Sequence, residues 1–233
     1  MAAYAGPEIV TNGLVLALDA GNTQSYPGSG TAWTDISPNR LSGTLTNGPT
    51  FSSDNKGAIV FDGVNDFISF GSFTGLGTTN RSIETWFAMD GWGVSGNKRI
   101  MTLSADDGGT DTPAYVITYV GGVVGTISAG VGGTPYNGYS NISTSIGTGV
   151  WYNITTTIVA NTTISFYLNG ILVTSVNNTG GVGANPIIQL ARYNANYGQH
   201  GNCRISCCRI YNRVLSAAEI QQNFNATRGR FGV

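Results

Sequence analysis

Apolar and polar residues alternate along many short segments of the chain, and turn residues separate each segment from the next. In "WYNITTTIVA" the alternation places Tyr152, Ile154, Thr156 and Ile158 on one face of a strand. Similar β-rich segments, bounded by Gly, Asn and Pro, recur almost from end to end. This pattern predicts an all-β sandwich.

The segment "TISFYLNGILVTSV" predicts a β-hairpin. Ile164, Phe166 and Leu168 fall on one face of the first strand. Asn169 and Gly170 then supply the two residues with positive φ that a type I′ turn requires.

The segment "VLSAAEIQQNF" predicts one short helix near the C-terminal end of the sequence. Ser216 is placed to cap it, and Glu219 completes a reciprocal capping box. Leu215 and Ile220 are spaced as a hydrophobic staple, and Phe224 extends the apolar stripe. We expect this helix to pack against the sandwich.

The length of 233 residues suits a single β-domain. Residues 1–12 lack periodicity and predict an N-terminal arm, either disordered or laid on a neighbouring subunit, before a domain at 13–233. Because only 10% of residues are charged and the net charge is −1, we expect no nucleic-acid partner. No apolar run reaches bilayer length, and the first residues lack secretory-signal features, so we expect no membrane insertion and folding in a cytoplasm.

Several segments resemble a known family: "AIVFDGVNDFISFG", "SIETWF", "WYNITTTI", "ISFYLNGILV" and "RIYNRVLSAAEIQQNF". In this order they resemble the laminin-G-like, concanavalin A-like jelly rolls of bacterial surface proteins and phage virion proteins. The resemblance implies a two-sheet antiparallel jelly-roll sandwich whose first and last strands meet beside one short C-terminal helix. It also implies recognition on the concave face or on the rim loops, and it implies no particular activity.

All three cysteines lie in "NCRISCCRI", which reads as a strand. A regular strand would place Cys203 and Cys207 on one face about 13 Å apart, and Cys208 on the other. That spacing suits neither a zinc site nor a disulfide between Cys203 and Cys207. We therefore expect buried free thiols, and a bond between the adjacent Cys207 and Cys208 is left open.

Catalytic chemistry has few candidates in this sequence. Glycoside hydrolysis needs two carboxylates flanking the scissile bond, and Glu84 in "SIETWF" has no acidic neighbour two or four residues away. The other glutamates are Glu8 in the arm and Glu219 in the predicted cap. The single histidine, His200, lies in a glycine-flanked loop. We expect a protein without catalytic activity.

Calcium is left open, and we expect no other cofactor. Asp and Asn side chains supply the hard oxygen ligands that calcium prefers, and two segments carry them, "FDGVND" and "SADDGGTD". In the first, these side chains can instead bond turn backbone groups. If calcium binds, the better candidate ligands are Asp106, Asp107 and Asp111.

Recognition of a surface needs only exposed aromatic, amide and basic groups. Three segments read as loops that carry them, "MDGWGVSGN", "GGTPYNGYSN" and "ARYNANYGQHGN". Flat rings stack on sugars or anchor protein contacts. The candidate binding residues are Trp92, Tyr136, Tyr139, Arg192, Tyr193 and Tyr197. The alternative is that Trp92 and Tyr193 pack at the rim or in the core.

Three functions follow from these observations. The first is a non-catalytic virion structural protein, a capsid decoration, neck or fibre subunit made in the host cytoplasm. Its expected partners are capsid or tail proteins of the same particle, further copies of this chain in a homo-oligomer, and a cell-surface glycan. The second is a glycan-binding module of a bacterial surface protein, and the third is a glycoside hydrolase.

Overall fold

The computed structural model describes residues 7–73, 76, 80–92, 97–104, 115–120, 127–130, 139–142, 146–177, 187–193 and 199–233. These residues form sixteen strands, one α-helix and two short 3₁₀ turns. The strands are β1 (Leu14–Asp19), β2 (Ala32–Thr34), β3 (Ser42–Thr46), β4 (Thr50–Ser52), β5 (Ala58–Asp62), β6 (Phe67–Ser72), β7 (Arg81–Met89), β8 (Asn97–Ser104), β9 (Tyr115–Val120), β10 (Ile127–Gly130), β11 (Tyr139–Ile142), β12 (Trp151–Val159), β13 (Thr163–Leu168), β14 (Ile171–Asn177), β15 (Ile187–Leu190) and β16 (Asn202–Tyr211). The helix is α1 (Ala217–Thr227), and the 3₁₀ turns are Asp54–Lys56 and Arg228–Arg230.

Within that part of the chain the strands build two eight-stranded antiparallel sheets. Sheet I has the order β14-β13-β12-β7-β16-β5-β4, and β1 also pairs with β16. Sheet II has the order β11-β10-β9-β8-β15-β6-β3-β2. The predicted two-sheet antiparallel sandwich is confirmed, as is the meeting of its first and last strands.

The main core lies between the two sheets. On β12 the predicted inward face is confirmed, because Ile154 and Ile158 are buried in this core. The opposite face of the same strand is also buried, although it carries polar residues such as Asn153 and Thr155. That burial follows from a second layer on the outer side of sheet I, built by α1 and the residues that follow it.

The predicted hairpin is confirmed between β13 and β14. Asn169 and Gly170 have φ angles of 50° and 79°, which provides the positive φ that a two-residue turn needs. Ile164 and Phe166 point into the core as expected.

The predicted helix cap is also confirmed. The Ser216 side chain accepts a hydrogen bond from the Glu219 backbone N–H, and the Glu219 carboxylate accepts one from the Ser216 N–H. Arg213 donates to both carboxylate oxygens of Glu219, and this side-chain bond lowers the pKa of Glu219 to about 2. Leu215 and Ile220 are buried in one cluster, as a hydrophobic staple requires.

The helix covers the outer face of sheet I through a buried polar network. Glu84 on β7 is 1% exposed. Its Oε1 accepts bonds from Arg209 Nη1 at 2.9 Å and from Asn153 Nδ2 at 3.0 Å, and its Oε2 accepts one from Asn223 Nδ2 at 3.0 Å. One carboxylate thus joins β7, β12, β16 and α1.

The same network holds part of the N-terminal arm. The Val10 backbone N–H donates to Asn223 Oδ1 at 2.8 Å, and the Tyr211 hydroxyl donates to the Val10 carbonyl at 3.0 Å. Gln222 and Arg213 donate to the carbonyls of Glu8 and Asn12. Residues 8–12 therefore lie on their own domain and do not form the disordered or neighbour-bound arm predicted from the sequence. Side chains of β16, of the turn after it and of α1 form hydrogen bonds with the backbone of these residues.

The cysteines are all buried, and all three are free thiols. The expectation that Cys203 and Cys207 share a face is wrong. A β-bulge at Ser206 shifts the register between Ile205 and Cys207, so Cys203 and Cys208 face the main core and Cys207 faces the outer layer. Ser206 Oγ stabilises the bulge by donating to the Gly57 carbonyl at 2.6 Å.

The Glu84 network predicts a large stability cost for the variant Asn223→Ala. This change removes three hydrogen bonds of the Asn223 side chain, which go to Glu84 Oε2, to the Tyr211 hydroxyl and from the Val10 N–H. We expect the free energy of unfolding in urea to fall by about 3 kcal/mol. The control Gln222→Ala removes a solvent-exposed hydrogen bond to the Glu8 carbonyl and should lower the free energy of unfolding by less than about 0.5 kcal/mol. Equal losses for both variants would contradict the role given to the network.

Thiol reactivity tests the placement of the cysteines. Burial raises the pKa of Cys207 to about 11 and that of Cys208 to about 12, and it raises the pKa of Cys203 as well. At pH 8 we expect no reaction of the folded protein with a thiol-specific disulfide reagent, and reaction of three thiols after unfolding in denaturant. Only one reactive thiol in the unfolded chain would instead reveal a Cys207–Cys208 bond.

Candidate functional site

The outer faces of the two sheets differ in what covers them. α1, residues 228–231 and the arm pack on sheet I. In the described part of the chain no helix packs on the outer face of sheet II.

A row of polar residues crosses this outer face. Strand register pairs Thr44 with Ser69, Ser69 with Gln189, and Gln189 with Thr102, across β3, β6, β15 and β8. Neighbours of these residues along each strand, such as Ile68, point into the core, so the row points outwards. At a strand spacing of about 4.8 Å the row is about 14 Å long.

Exposure falls along the row. Thr44 is exposed and Ser69 is half-buried, whereas Gln189 and Thr102 are fully buried. The accessible part is therefore the β3–β6 end. Thr46 and Phe67 lie there too, half-buried and paired with each other in register.

Arg192 is positioned over this accessible end. Its guanidinium carbon lies 3.7 Å from the centroid of the Phe67 ring, and its Nε donates to Gln189 Oε1 at 3.4 Å. The buried Gln189 thus orients a guanidinium whose cation–π contact with Phe67 fixes its plane. We call Thr44, Thr46, Phe67, Ser69, Gln189 and Arg192 the polar patch.

His200 borders the polar patch. Its ring centroid lies 6.0 Å from that of Phe67, and its Nδ1 is 3.1 Å from the Asp66 carbonyl oxygen. Burial lowers the pKa of His200, and the positive charges of Arg192 and Lys98 lower it further. The polar patch thus groups hydroxyls and an oriented guanidinium around one aromatic ring, with the buried Gln189 amide beneath the guanidinium.

Of Trp92, Arg192 and Tyr193, the predicted binding residues whose side chains the structure describes, Arg192 belongs to the polar patch. Trp92 is 9% exposed, Arg192 7% and Tyr193 3%, and the Tyr193 ring lies 4.8 Å from the guanidinium carbon of Arg99. The burial of Trp92 and Tyr193 fits the packing alternative. Tyr139 belongs to β11 at the edge of sheet II. Tyr136 and Tyr197 lie outside the described residues, as do the candidate calcium ligands Asp106, Asp107 and Asp111.

Sequence reasoning missed Thr44, Thr46, Phe67, Ser69 and Gln189. Each is an ordinary outward position of a strand, and only the pairing of β3, β6 and β15 brings them together. The alternation in "DFISFGS" and "IIQLARY" could have assigned Phe67, Ser69 and Gln189 to outer faces.

The catalytic candidates considered from sequence lie elsewhere. Glu84 is buried beneath α1 on sheet I, and Glu219 is held in the helix cap by Arg213. Over the ranges that the structure describes, no three His, Cys, Asp or Glu side chains form a group that could hold a metal ion. Among those same residues no helix is both long and apolar enough to cross a bilayer.

Comparison with known proteins places this architecture. A laminin G family model, described as the concanavalin A-like lectin/glucanases superfamily, matches residues 62–221, which is more than half of the chain. A comparison with curated protein sequences gives no match.

Solved structures with the same fold come from enzymes and toxins. Trypanosoma rangeli sialidase in complex with sialic acid has a TM-score of 0.73 at 15% identity, over 97% of this chain and 35% of the sialidase. The binding domain of botulinum neurotoxin DC in complex with SialylT gives 0.71 at 12% identity, over 94% of this chain and 52% of that one. Domain 4 of the extracellular arabinanase AbnA from Geobacillus stearothermophilus, in complex with arabinotriose, gives 0.69 at 19% identity, over 93% of this chain and 100% of that one. The chain thus spans about a third of the sialidase and the whole of the arabinanase domain.

Proposed function

Because the chain belongs to the concanavalin A-like lectin/glucanase superfamily, we propose that it is a non-catalytic saccharide-binding domain that binds its ligand on the polar patch. The observation that carries this proposal is the clustering of outward hydroxyls beside an oriented guanidinium and an aromatic ring. Thr44, Thr46 and Ser69 can exchange hydrogen bonds with sugar hydroxyls. The ring of Phe67 adds apolar surface against which a sugar can pack.

Two of the similar structures support saccharide binding. Domain 4 of the arabinanase is matched over its full length, and its structure contains arabinotriose. The binding domain of botulinum neurotoxin DC has the same fold in complex with SialylT. Each is one domain of a larger protein, and the similarity to each extends over more than 90% of this chain.

The placement of the glutamates supports a non-catalytic role. A glycosidase needs two carboxylates that flank the scissile bond. Both oxygens of Glu84 are bonded under α1, on the sheet that does not carry the polar patch. The polar patch itself contains no carboxylate.

We further propose that the domain acts on a virion, as a decoration, neck or fibre subunit that binds capsid or tail proteins and assembles as a homo-oligomer. The resemblance to phage virion proteins supports this setting. The three buried free thiols support it as well, because a fold without disulfides suits a host cytoplasm.

Saccharide binding is tested by a glycan array followed by titration of the oligosaccharide with the highest signal. The double variant Thr44→Val, Ser69→Ala removes two hydroxyls from the polar patch and leaves the packing almost unchanged. We expect affinity to fall about tenfold, since each lost hydrogen bond is worth roughly 0.5–1.5 kcal/mol. The matched control Thr174→Val, Ser175→Ala makes the same changes on β14 of sheet I and should bind like the parent. Absence of binding across the array, or equal effects of the two double variants, would disprove the proposal.

The virion setting makes a separate prediction. Mass spectrometry of purified particles should detect peptides of this chain, and the flanking genes should encode capsid or tail proteins. Particles without the chain, together with flanking genes for cell-envelope proteins, would assign it to a bacterial surface protein instead.

A further inference from the structure

An open groove of about 520 Å³ lies beside the end of α1, on the outer side of sheet I. Volumes of about 300–1,000 Å³ are typical of ligand sites. Lys56, Arg228 and Arg230 line the groove with Asn225, Thr227 and small or apolar residues. We infer that it is an anion-binding site that accepts a sulfate or phosphate group, separate from the polar patch.

The charge of the groove is the first argument. Three cationic residues line it and no acidic residue does. Arg230 is compensated, because its Nη1 donates to both carboxylate oxygens of Asp19 at 2.8 and 2.9 Å. Lys56 and Arg228 are exposed, and neither forms an ion pair within the described structure. Two positively charged side chains that have no ion-pair partner among the described residues therefore line one concave surface.

The backbone that carries Lys56 is fixed in an unusual conformation. Asn55 and Lys56 have φ angles of 52° and 67°, in the left-handed region that residues other than glycine seldom adopt. Asn55 holds this turn, because its Nδ2 donates to the Arg230 carbonyl at 2.9 Å and its Oδ1 accepts from Trp151 Nε1 at 3.0 Å. The backbone of Lys56 is thus set at a defined position relative to residues 228–230.

Arg228 lines the same groove. It follows the last residue of α1, and its guanidinium carbon lies 5.9 Å from the centroid of the Phe224 ring. Sulfate and phosphate present several acceptor oxygens, which a guanidinium and an ammonium can bond from two sides. A neutral sugar would leave both charges without a counter-ion.

A purely structural role for Arg228 is the competing explanation. A cation near a helix C-terminus stabilises the helix dipole without any ligand. The two explanations differ in what Arg228→Gln changes: a dipole role lowers stability and leaves anion binding intact, whereas an anion site loses binding with little change in stability.

The experiment is a calorimetric titration of the full chain with sodium sulfate at low ionic strength, together with unfolding measurements. Arg228→Gln and Lys56→Gln should each weaken sulfate binding about tenfold, the worth of a charge-assisted hydrogen bond. The matched control is Arg40→Gln, which removes one exposed positive charge far from the groove and should leave the affinity within about twofold. Dextran sulfate and unmodified dextran form two further arms, and binding of dextran sulfate that is weakened by Arg228→Gln and Lys56→Gln but not by Arg40→Gln, with no binding of dextran, would identify a sulfated saccharide as the source of the anion.

Two results would overturn the inference. One is no sulfate binding, or equal losses in all three variants, which would show only a diffuse charge effect. The other is lowered stability of Arg228→Gln with unchanged sulfate affinity, which would leave Arg228 a structural role. Because the groove and the polar patch lie on different sheets, neither result bears on saccharide binding at the polar patch.

Discussion

The fold depends on the need to satisfy one buried carboxylate, that of Glu84. An ionised group that is cut off from water is unfavourable unless charge and hydrogen bonds compensate it. Arg209 supplies the charge, and Asn153 and Asn223 supply further donors from a second strand and from α1. Because Asn223 reaches Glu84 only when α1 lies on sheet I, the network fixes the helix on that face, and the helix in turn holds the arm through Val10.

This constraint makes the sandwich asymmetric. The outer face of sheet I is used for stability: Trp86 stacks on Phe231 with ring centroids 4.1 Å apart and donates through Nε1 to Thr227. The bulge at Ser206 contacts the same layer, because Arg230 donates a hydrogen bond to the Ser206 hydroxyl. The bulge also turns Cys207 towards the outer face of sheet I, which α1 covers. On the outer face of sheet II the outward residues of β8 and β15, Thr102 and Gln189, are buried as well, whereas Thr44 and Ser69 on β3 and β6 are at least partly exposed.

The sequence predicted what depends on neighbours along the chain. The turn at Asn169, the cap at Ser216 and the alternation of β12 each follow from a few adjacent residues, and each is confirmed. The face of Cys207 was predicted wrongly, because a bulge adds one residue to a strand and only its partners on β7 reveal it. The strand residues of the polar patch escaped prediction for a related reason: they come from β3, β6 and β15, and no local pattern records the register of those strands.

Scarce charges explain why the groove at the end of α1 differs from the rest of the surface. Because only 10% of residues are charged, the local electrostatic potential at most places depends on a single ion pair or a single charged side chain. Arg209, Arg213 and Arg230 are each paired with an acidic side chain that also supports the fold. These acidic side chains are already paired, and among the described residues Lys56 and Arg228 have no ion-pair partner although both line the groove. The accessible part of the polar patch, by contrast, carries neutral hydroxyl groups, so the two sides of the sandwich differ in the chemistry of their exposed side chains.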